Sequence, residues 1–349
     1  MEVFLVTRRG SWVLNRIFEQ GYPSDILVNT RLFNWFRIAF PSLANAALER
    51  RLNDRFDHSV YGLKPAHKPL QQHPFVNDEM PNRIQSGQLI IKPDIAEVQE
   101  HSVVFKDGSR AEDIDSIIVC TGYSFGFPYL QEGIIPVNEN QVNLWKYMYP
   151  PDLPHPTLAV IGYIQPYGAI MPIAEMQCRL FCSALQGEIK LPPAPEMWQD
   201  IEAKRLAMQQ RYVASRRHTI QVDYVPFMDE LAEILGVRPR PLDFLISDPE
   251  LALELIIGPT LPYHFRLIGP HKWPLARQAI MTVWDRVRSP TMKRDPARPP
   301  CKSTARFVTN SAVQKLLRVL AMKRMALFLL CYDAGVQFGA QNAFFVCGF

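Results

Sequence analysis

Residues Glu2–Val6 (EVFLV) form a nearly unbroken apolar, β-favouring run, the pattern of a parallel strand buried on both faces with neighbours on either side. Asp115–Cys120 (DSIIVC) and Thr157–Ile161 (TLAVI) repeat that pattern, closed by Thr121-Gly122-Tyr123 and by Gly162. Shorter β segments are expected at Leu89–Lys92 and Val103–Phe105, the latter followed by a Lys106-Asp107-Gly108-Ser109 hairpin turn. Between these runs the spacing changes to that of helices. In Leu43–Phe56, Leu43, Ala47, Leu48 and Leu52 share a face against Glu49, Arg50, Arg51 and Asp54. Pro172 suits the first turn of a helix reaching Leu185, and helices over Glu196–Arg217 and Val225–Leu235 make the second half mostly α. The order strand, turn, helix predicts an α/β nucleotide-binding architecture with helical additions and no internal repeat.

Composition adds limits rather than a function. A chain of 349 residues that is 48% hydrophobic can bury a large core, in two domains or one large one, and its 30 prolines mark many loop corners. The six cysteines contain no CxxC pair, and MEVFLVTRR has no room for an apolar signal core, which together predict reduced thiols facing the cytosol. Cys178 and Cys182, one helical turn apart, read as a metal or redox pair or as two small residues on a buried helix face; the burial habit of cysteine favours the second. His58, His67 and His73, with Asp57 and Asp78, have the spacing of no compact metal motif. No GxSxG, HExxH or Walker sequence is present, so no catalytic side chain and no metal site is assigned.

Charge is uneven. From Arg288 onward ten Lys/Arg stand against two acids, so this tail carries about +8 and the chain before it about −4. Within it, Ala312–Tyr332 mixes Lys315, Arg318, Lys323 and Arg324 with many leucines and never reaches 18 consecutive apolar residues. That pattern fits a basic amphipathic helix lying in an anionic membrane interface, or a helix packed on the domain. Nucleic acid is not an expected partner.

Arg8 and Arg9 follow the first strand directly, in Thr7-Arg8-Arg9-Gly10. Alone they read as a surface basic pair; at the end of the second strand of a dinucleotide domain they would grip the 2′-phosphate of NADP. Longer segments bear on the choice: VFLVTRRGSWVLNRIFEQGYPSD, RFDHSVYGLKPAHKPLQQHPFVNDEMPNRIQSG, IDSIIVCTGYSFGFPYL, TLAVIGYIQPYGAIMPIAEMQCR, RRHTIQVDYVPFMDELAEILGVRP and GPHKWPLARQAIMTVWDR. In this order they resemble the flavin-containing monooxygenases, from about residue 2 to about residue 294.

The resemblance implies the remainder of two intertwined Rossmann-like domains, for FAD and NADPH, with helical additions and a C-terminal amphipathic helix. Residues 1–123 would be NADPH-binding, 124–295 the C-terminal part of the FAD domain with a helical insertion, and 296–349 a basic linker and membrane-interface tail. It places the NADP 2′-phosphate on Arg8 and Arg9 with help from Thr7. Thr121 and Gly122 fall at the crossover between domains, where Cys120 replaces the family's alanine. Gln165, Pro166 and Gly168 lie in the segment near the flavin. The implied activity uses NADPH-reduced FAD and O2 to oxygenate small soft nucleophiles or ketones at the cytosolic face of the endoplasmic reticulum.

One departure is plain. No two of the 17 glycines are separated by a single residue, so no GxGxxG loop occurs in the chain. The resemblance implies that both cofactor loops lie upstream of Met1 and that activity alone is lost. A non-catalytic, membrane-associated protein that pairs with full-length members is the alternative, and an incompletely read gene a third.

Overall fold

A computed structural model describes residues 2–18, 21–216 and 218–292. The expected amphipathic helix, the 296–349 tail and Cys301, Cys331 and Cys347 lie outside the described residues.

The chain opens with strands β1 (Val3–Val6) and β2 (Val13–Leu14), then helices α1 (Ser24–Val28), α2 (Arg31–Ala39) and α3 (Pro41–Arg55). Next come β3 (Phe75–Val76), α4 (Met80–Gln85), β4 (Leu89–Lys92), β5 (Ile95–Val98), β6 (Val103–Phe105) and β7 (Arg110–Ala111). A small hairpin, β8 (Val137–Asn138) with β9 (Gln141–Val142), precedes β10 (Gln165–Tyr167). The rest is largely helical: α5 (Ile170–Leu185), α6 (Ala194–Arg211), β11 (Gln221–Asp223), α7 (Tyr224–Ile234), α8 (Pro249–Ile257), α9 (Ala276–Met281) and α10 (Val283–Met292).

β1 pairs in parallel with β4, Val3 opposite Leu89 and Val6 opposite Lys92. The period of two divides its side chains: Leu5 joins Val13, Phe56, Leu63 and Met80, whereas Phe4 and Val6 join Val103, Phe105 and Ala111. Both faces of the strand are therefore apolar, as the continuous run predicts. Its ladder differs, because β1 has β4 alone as a neighbour among the described residues. β2–β3 and β10–β11 are likewise isolated parallel pairs, and β5–β6–β7 is an antiparallel meander with the expected turn at Gly108, whose φ is +79°. The fold is a mixed α/β one built on short parallel pairs instead of one wide sheet.

Two of the strands expected from hydrophobic runs do not form. Asp115–Cys120 runs without a ladder partner, and Ile118 and Val119 are 84% and 74% exposed. β propensity is a fit to a pleated, half-buried surface, and among the described residues no strand lies alongside to provide one. Thr157–Ile161 is also irregular; Val160 N–H donates to Met148 O, and pairing begins only at β10.

The helices follow the sequence more closely. Thr30 Oγ1 caps α2 by accepting from Phe33 N–H, and Asp248 caps α8 by accepting from Leu251 N–H, with Pro249 in the first turn. α6 stops at Arg211, short of the expected Arg217. In α3 Leu52 is buried and Leu48 half-buried, as expected, whereas Leu43 is 58% exposed and Ala47 is exposed, with Ala44 buried instead.

In α5, Ile173, Met176 and Leu180 are completely enclosed against Val225, Met228 and Leu231 of α7, the centre of the main core. This spacing of three and four leaves Cys178 and Cys182 on the outer face, where both are exposed free thiols, contrary to the buried reading.

Candidate functional site

At the carboxyl end of β1 the chain is redirected by Gly10. Its φ is +70°, and a Cβ there would sit 2.4 Å from Leu63 O. Ser11 N–H then donates to that same carbonyl at 2.8 Å. The turn leaves Thr7 half-buried, its N–H donating to Lys92 O, and leaves Arg8 and Arg9 exposed, with no ion pair to either among the described residues. Asp94, held below the usual carboxylate range chiefly by its hydrogen bond from Lys106, also feels the charge of Arg8. Two parallel strands thus end in Arg8, Arg9 and Lys92, at the edge where α/β folds receive phosphorylated ligands.

Gln165, Pro166 and Gly168 occupy β10 and the turn into α5. Gln165 N–H donates to Ile220 O, and Gln165 Oε1 accepts from Gln221 Nε2 at 2.6 Å. Pro166 is buried, while Gln165 and Gly168 are exposed. At Gly168, where φ is +151°, a Cβ would lie 2.7 Å from Tyr224 Cβ and 3.1 Å from Asn29 Nδ2, so glycine alone allows this approach. His73 stacks on Tyr167 with ring centroids 5.0 Å apart and makes a 3.3 Å contact from Nε2 to Gln165 O. The start of α5 has no side-chain cap, and Met171 in its first turn is 77% exposed.

Beneath this turn lies a feature with no local signal in sequence. Asp223 Oδ2 sits 2.9 Å from Arg37 Nη2 and 2.6 Å from Arg211 Nη1, joining the ends of α2, β11 and α6. Burial alone would raise the Asp223 pKa, but the two guanidinium groups overcome it and hold the carboxyl below its ordinary value. A cavity of about 40 Å3 opens beside this triad, against Tyr167 and Tyr224. Burial pushes both phenols well above the ordinary tyrosine range and pushes His73 down. At neutral pH both phenols keep their protons.

Thr121 and Gly122 lie in the exposed, irregular segment after Asp115, with Gly122 at φ +100°. They share no sheet with β1 or with β10. The three groups of expected residues therefore stand on separate supports: the β1–β4 edge, the exposed segment through Thr121 and Gly122, and the β10–α5 turn. No group of His, Cys, Asp and Glu suited to a metal ion occurs among the described residues. His58 is fully buried and hydrogen-bonded on both nitrogens.

A family model described as flavin-binding monooxygenase-like matches residues 1–331. The chain belongs to this family. Flavin-containing monooxygenase 5 of Homo sapiens is 50% identical over 295 residues, covering 84% of this chain and 55% of the relative. Flavin-containing monooxygenase 1 of Sus scrofa is 41% identical over 294 residues, with the same shares. The chain thus spans about half the length of the curated relatives it matches. Among solved structures, S-allyl-L-cysteine S-oxygenase from Allium sativum aligns with 59% of this chain and 48% of its own, at 24% identity and a TM-score of 0.38.

Membership of a flavin-binding family implies FAD and NADPH as cofactors. The residues present fit the adenosine 2′-phosphate of NADPH, because two exposed guanidinium groups that form no ion pair among the described residues suit a dianion. They do not fit the pyrophosphate of either cofactor, since the sequence contains no glycine loop of the GxGxxG type. No helix among the described residues is long and apolar enough to cross a membrane.

Proposed function

We propose that this chain provides the 2′-phosphate recognition and the flavin-facing turn of a flavin-containing monooxygenase, and that these 349 residues do not oxygenate a substrate by themselves. The activity of the whole would use NADPH-reduced FAD and O2 to place one oxygen atom on a soft nucleophile, an amine or a sulfide, or beside a ketone. Thr7, Arg8 and Arg9 hold the 2′-phosphate. Gln165, Pro166 and Gly168 set a close backbone turn beside the ring, with Thr121 and Gly122 at the crossover between two Rossmann-like domains. The observation that carries this reading is the exposed Arg8–Arg9, in no ion pair among the described residues, at the end of a parallel pair, within long colinear likeness to the family.

Inactivity rests on the missing loops. Each charge-assisted hydrogen bond to a pyrophosphate contributes roughly 1.5–3 kcal/mol, so losing two or three weakens FAD at least about a hundredfold. The test is the 350–500 nm absorption of the chain purified with FAD, followed by NADPH consumption. No flavin bands and no NADPH oxidation are expected; bound flavin with turnover would overturn the inactivity.

Phosphate recognition is tested apart from flavin. Adenosine 2′,5′-bisphosphate, which has no pyrophosphate, is expected to bind weakly and to lose about tenfold or more in affinity in Arg8→Ala/Arg9→Ala. Equal binding of the variant would remove these arginines from the site.

A second reading has its own observation. The exposed apolar residues Ile117, Ile118, Val119 and Tyr123 favour a non-catalytic chain that associates with a full-length relative, at an endoplasmic reticulum membrane reached through the basic tail. Failure to co-purify with an intact homologue would dismiss it.

A further inference from the structure

On the side of α6 beyond Arg211, the helix forms one wall of a cleft of about 300 Å3, near the lower limit for small-molecule sites. The opposite wall is formed by residues 212–216 with His218 and Thr219, and the β8–β9 hairpin closes one end. The hairpin turns through Glu139 and Asn140, both at positive φ, of 50° and 62°. Asn140 is buried and ties three segments together: its Oδ1 accepts from Phe125 N–H, and its Nδ2 donates to Tyr123 O and Arg216 O. The cleft is thus a built space with walls fixed to one another.

Its interior is aromatic and apolar. Tyr147, Ile201, Met208 and Tyr212 line it, and the Tyr147 hydroxyl donates to Met208 Sδ at 3.9 Å. Burial pushes the Tyr212 phenol up to about 12, so it presents a neutral ring and hydroxyl. Thr219 Oγ1, enclosed in the wall, has no hydrogen-bond partner among the described residues.

The rim is basic, but its cations are not equivalent. Lys204 lies between Asp200 at 2.6 Å and Glu230 at 2.5 Å, and Arg205 is held by Glu202 and Asn143. Among the described residues Arg216 pairs with Glu139 alone, at 2.6 Å, and both side chains of that pair are about 60% exposed. A pair so exposed is weak and easily exchanged. It joins the post-α6 segment to the hairpin, the two elements that border the opening.

We propose that this cleft binds a flat apolar molecule carrying one carboxylate, an aromatic acid of about two fused rings. The rings lie against Tyr147, Met208 and Tyr212, and the carboxylate displaces Glu139 from Arg216. Thr219 Oγ1 supplies the unmatched polar group in the wall. The site does not depend on FAD, NADPH or the oxygenation reading.

The experiment is isothermal titration calorimetry of the full chain with 2-naphthoate and with neutral 2-naphthalenemethanol. The acid is expected to bind with a Kd on the order of 0.1 mM and the alcohol about tenfold more weakly. Arg216→Gln, an exposed position, should abolish that preference, and Met208→Trp should abolish binding of both while far-UV circular dichroism is unchanged. If Met208→Trp does not fold, Gln209→Trp on the exposed side of the same wall serves as the blocking variant. Absence of saturable binding, equal affinity for acid and alcohol, or undiminished binding in a folded blocking variant each overturns the proposal.

Discussion

Replacing Asp223 with alanine is expected to lower the unfolding free energy by about 3–5 kcal/mol, a large share of the roughly 5–15 kcal/mol that holds a typical domain together. The cost arises from what remains. Asp223 lies between Arg37 and Arg211, whose side chains are 9% and 28% exposed, and its loss sets two cations facing each other without a counter-ion. Arg37 also donates to Asn34 Oδ1 at 3.0 Å and Arg211 to Leu70 O at 3.3 Å, so both are anchored and cannot swing freely to water. Asp223→Asn keeps the volume and removes the charge, separating the electrostatic part from packing. Urea denaturation monitored by tryptophan fluorescence measures both variants. A loss below about 1 kcal/mol in Asp223→Ala would mean that the triad behaves as an exposed surface pair.

The same triad gives an acid dependence. The folded Asp223 pKa lies below the unfolded value, so its stabilisation is complete above about pH 4 and lost as pH falls through the folded pKa. Because the triad braces β11 and the end of α6 against α2, its failure would loosen the β10–α5 turn that carries Gln165 and Gly168.

His58 should weaken the protein at a higher pH. Its Nε2 accepts from Val13 N–H at 3.0 Å, which requires the neutral ring with the proton on Nδ1, where Asn53 Oδ1 accepts at 2.9 Å. Trp12 and Phe56 pack at 4.8 and 4.4 Å between ring centroids. Burial, assisted by Arg55, pushes His58 down to about 4 despite the opposing pull of Asp57. Protons therefore bind the unfolded chain first. Stability is complete above about pH 6.5 and falls by about 1.4 kcal/mol per unit down to about pH 4, a total of about 3 kcal/mol from this residue. Buried His264 is shifted in the same direction, for the same reason of desolvation. His58→Gln retains an acceptor for Val13, so its unfolding free energy should vary less than the parent's between pH 6.5 and 4.5. An NMR titration of the His58 ring with a midpoint near 6.5 would refute the assignment.

The residues that link α2 to β11 were invisible in sequence because nothing local marks them. Arg37 and Asp223 are separated by most of the described chain, and each alone reads as an ordinary surface charge on an amphipathic element. His58 was likewise read among loop histidines, since no periodic pattern shows that Trp12 and Phe56 will enclose it. Gly168 was legible as part of a family segment, but its steric reason, the approach of Tyr224, required the packing of β10 against α7.

Sequence by itself determined the family, the positions of the principal helices and the β1, β4 and β6 segments, and the exposed Arg8–Arg9 pair. Those properties depend on local spacing, capping and colinear motifs, which survive whatever the chain packs against. The tertiary structure decided which apolar runs become strands and which charges are buried. Asp115–Cys120 carries the residues of a strand but lacks a ladder, whereas Val3–Val6, of similar composition, acquires one from Leu89–Lys92. A strand is a pairwise object, and a buried ion pair likewise exists only when distant segments meet; neither condition is written in the residues that fulfil it.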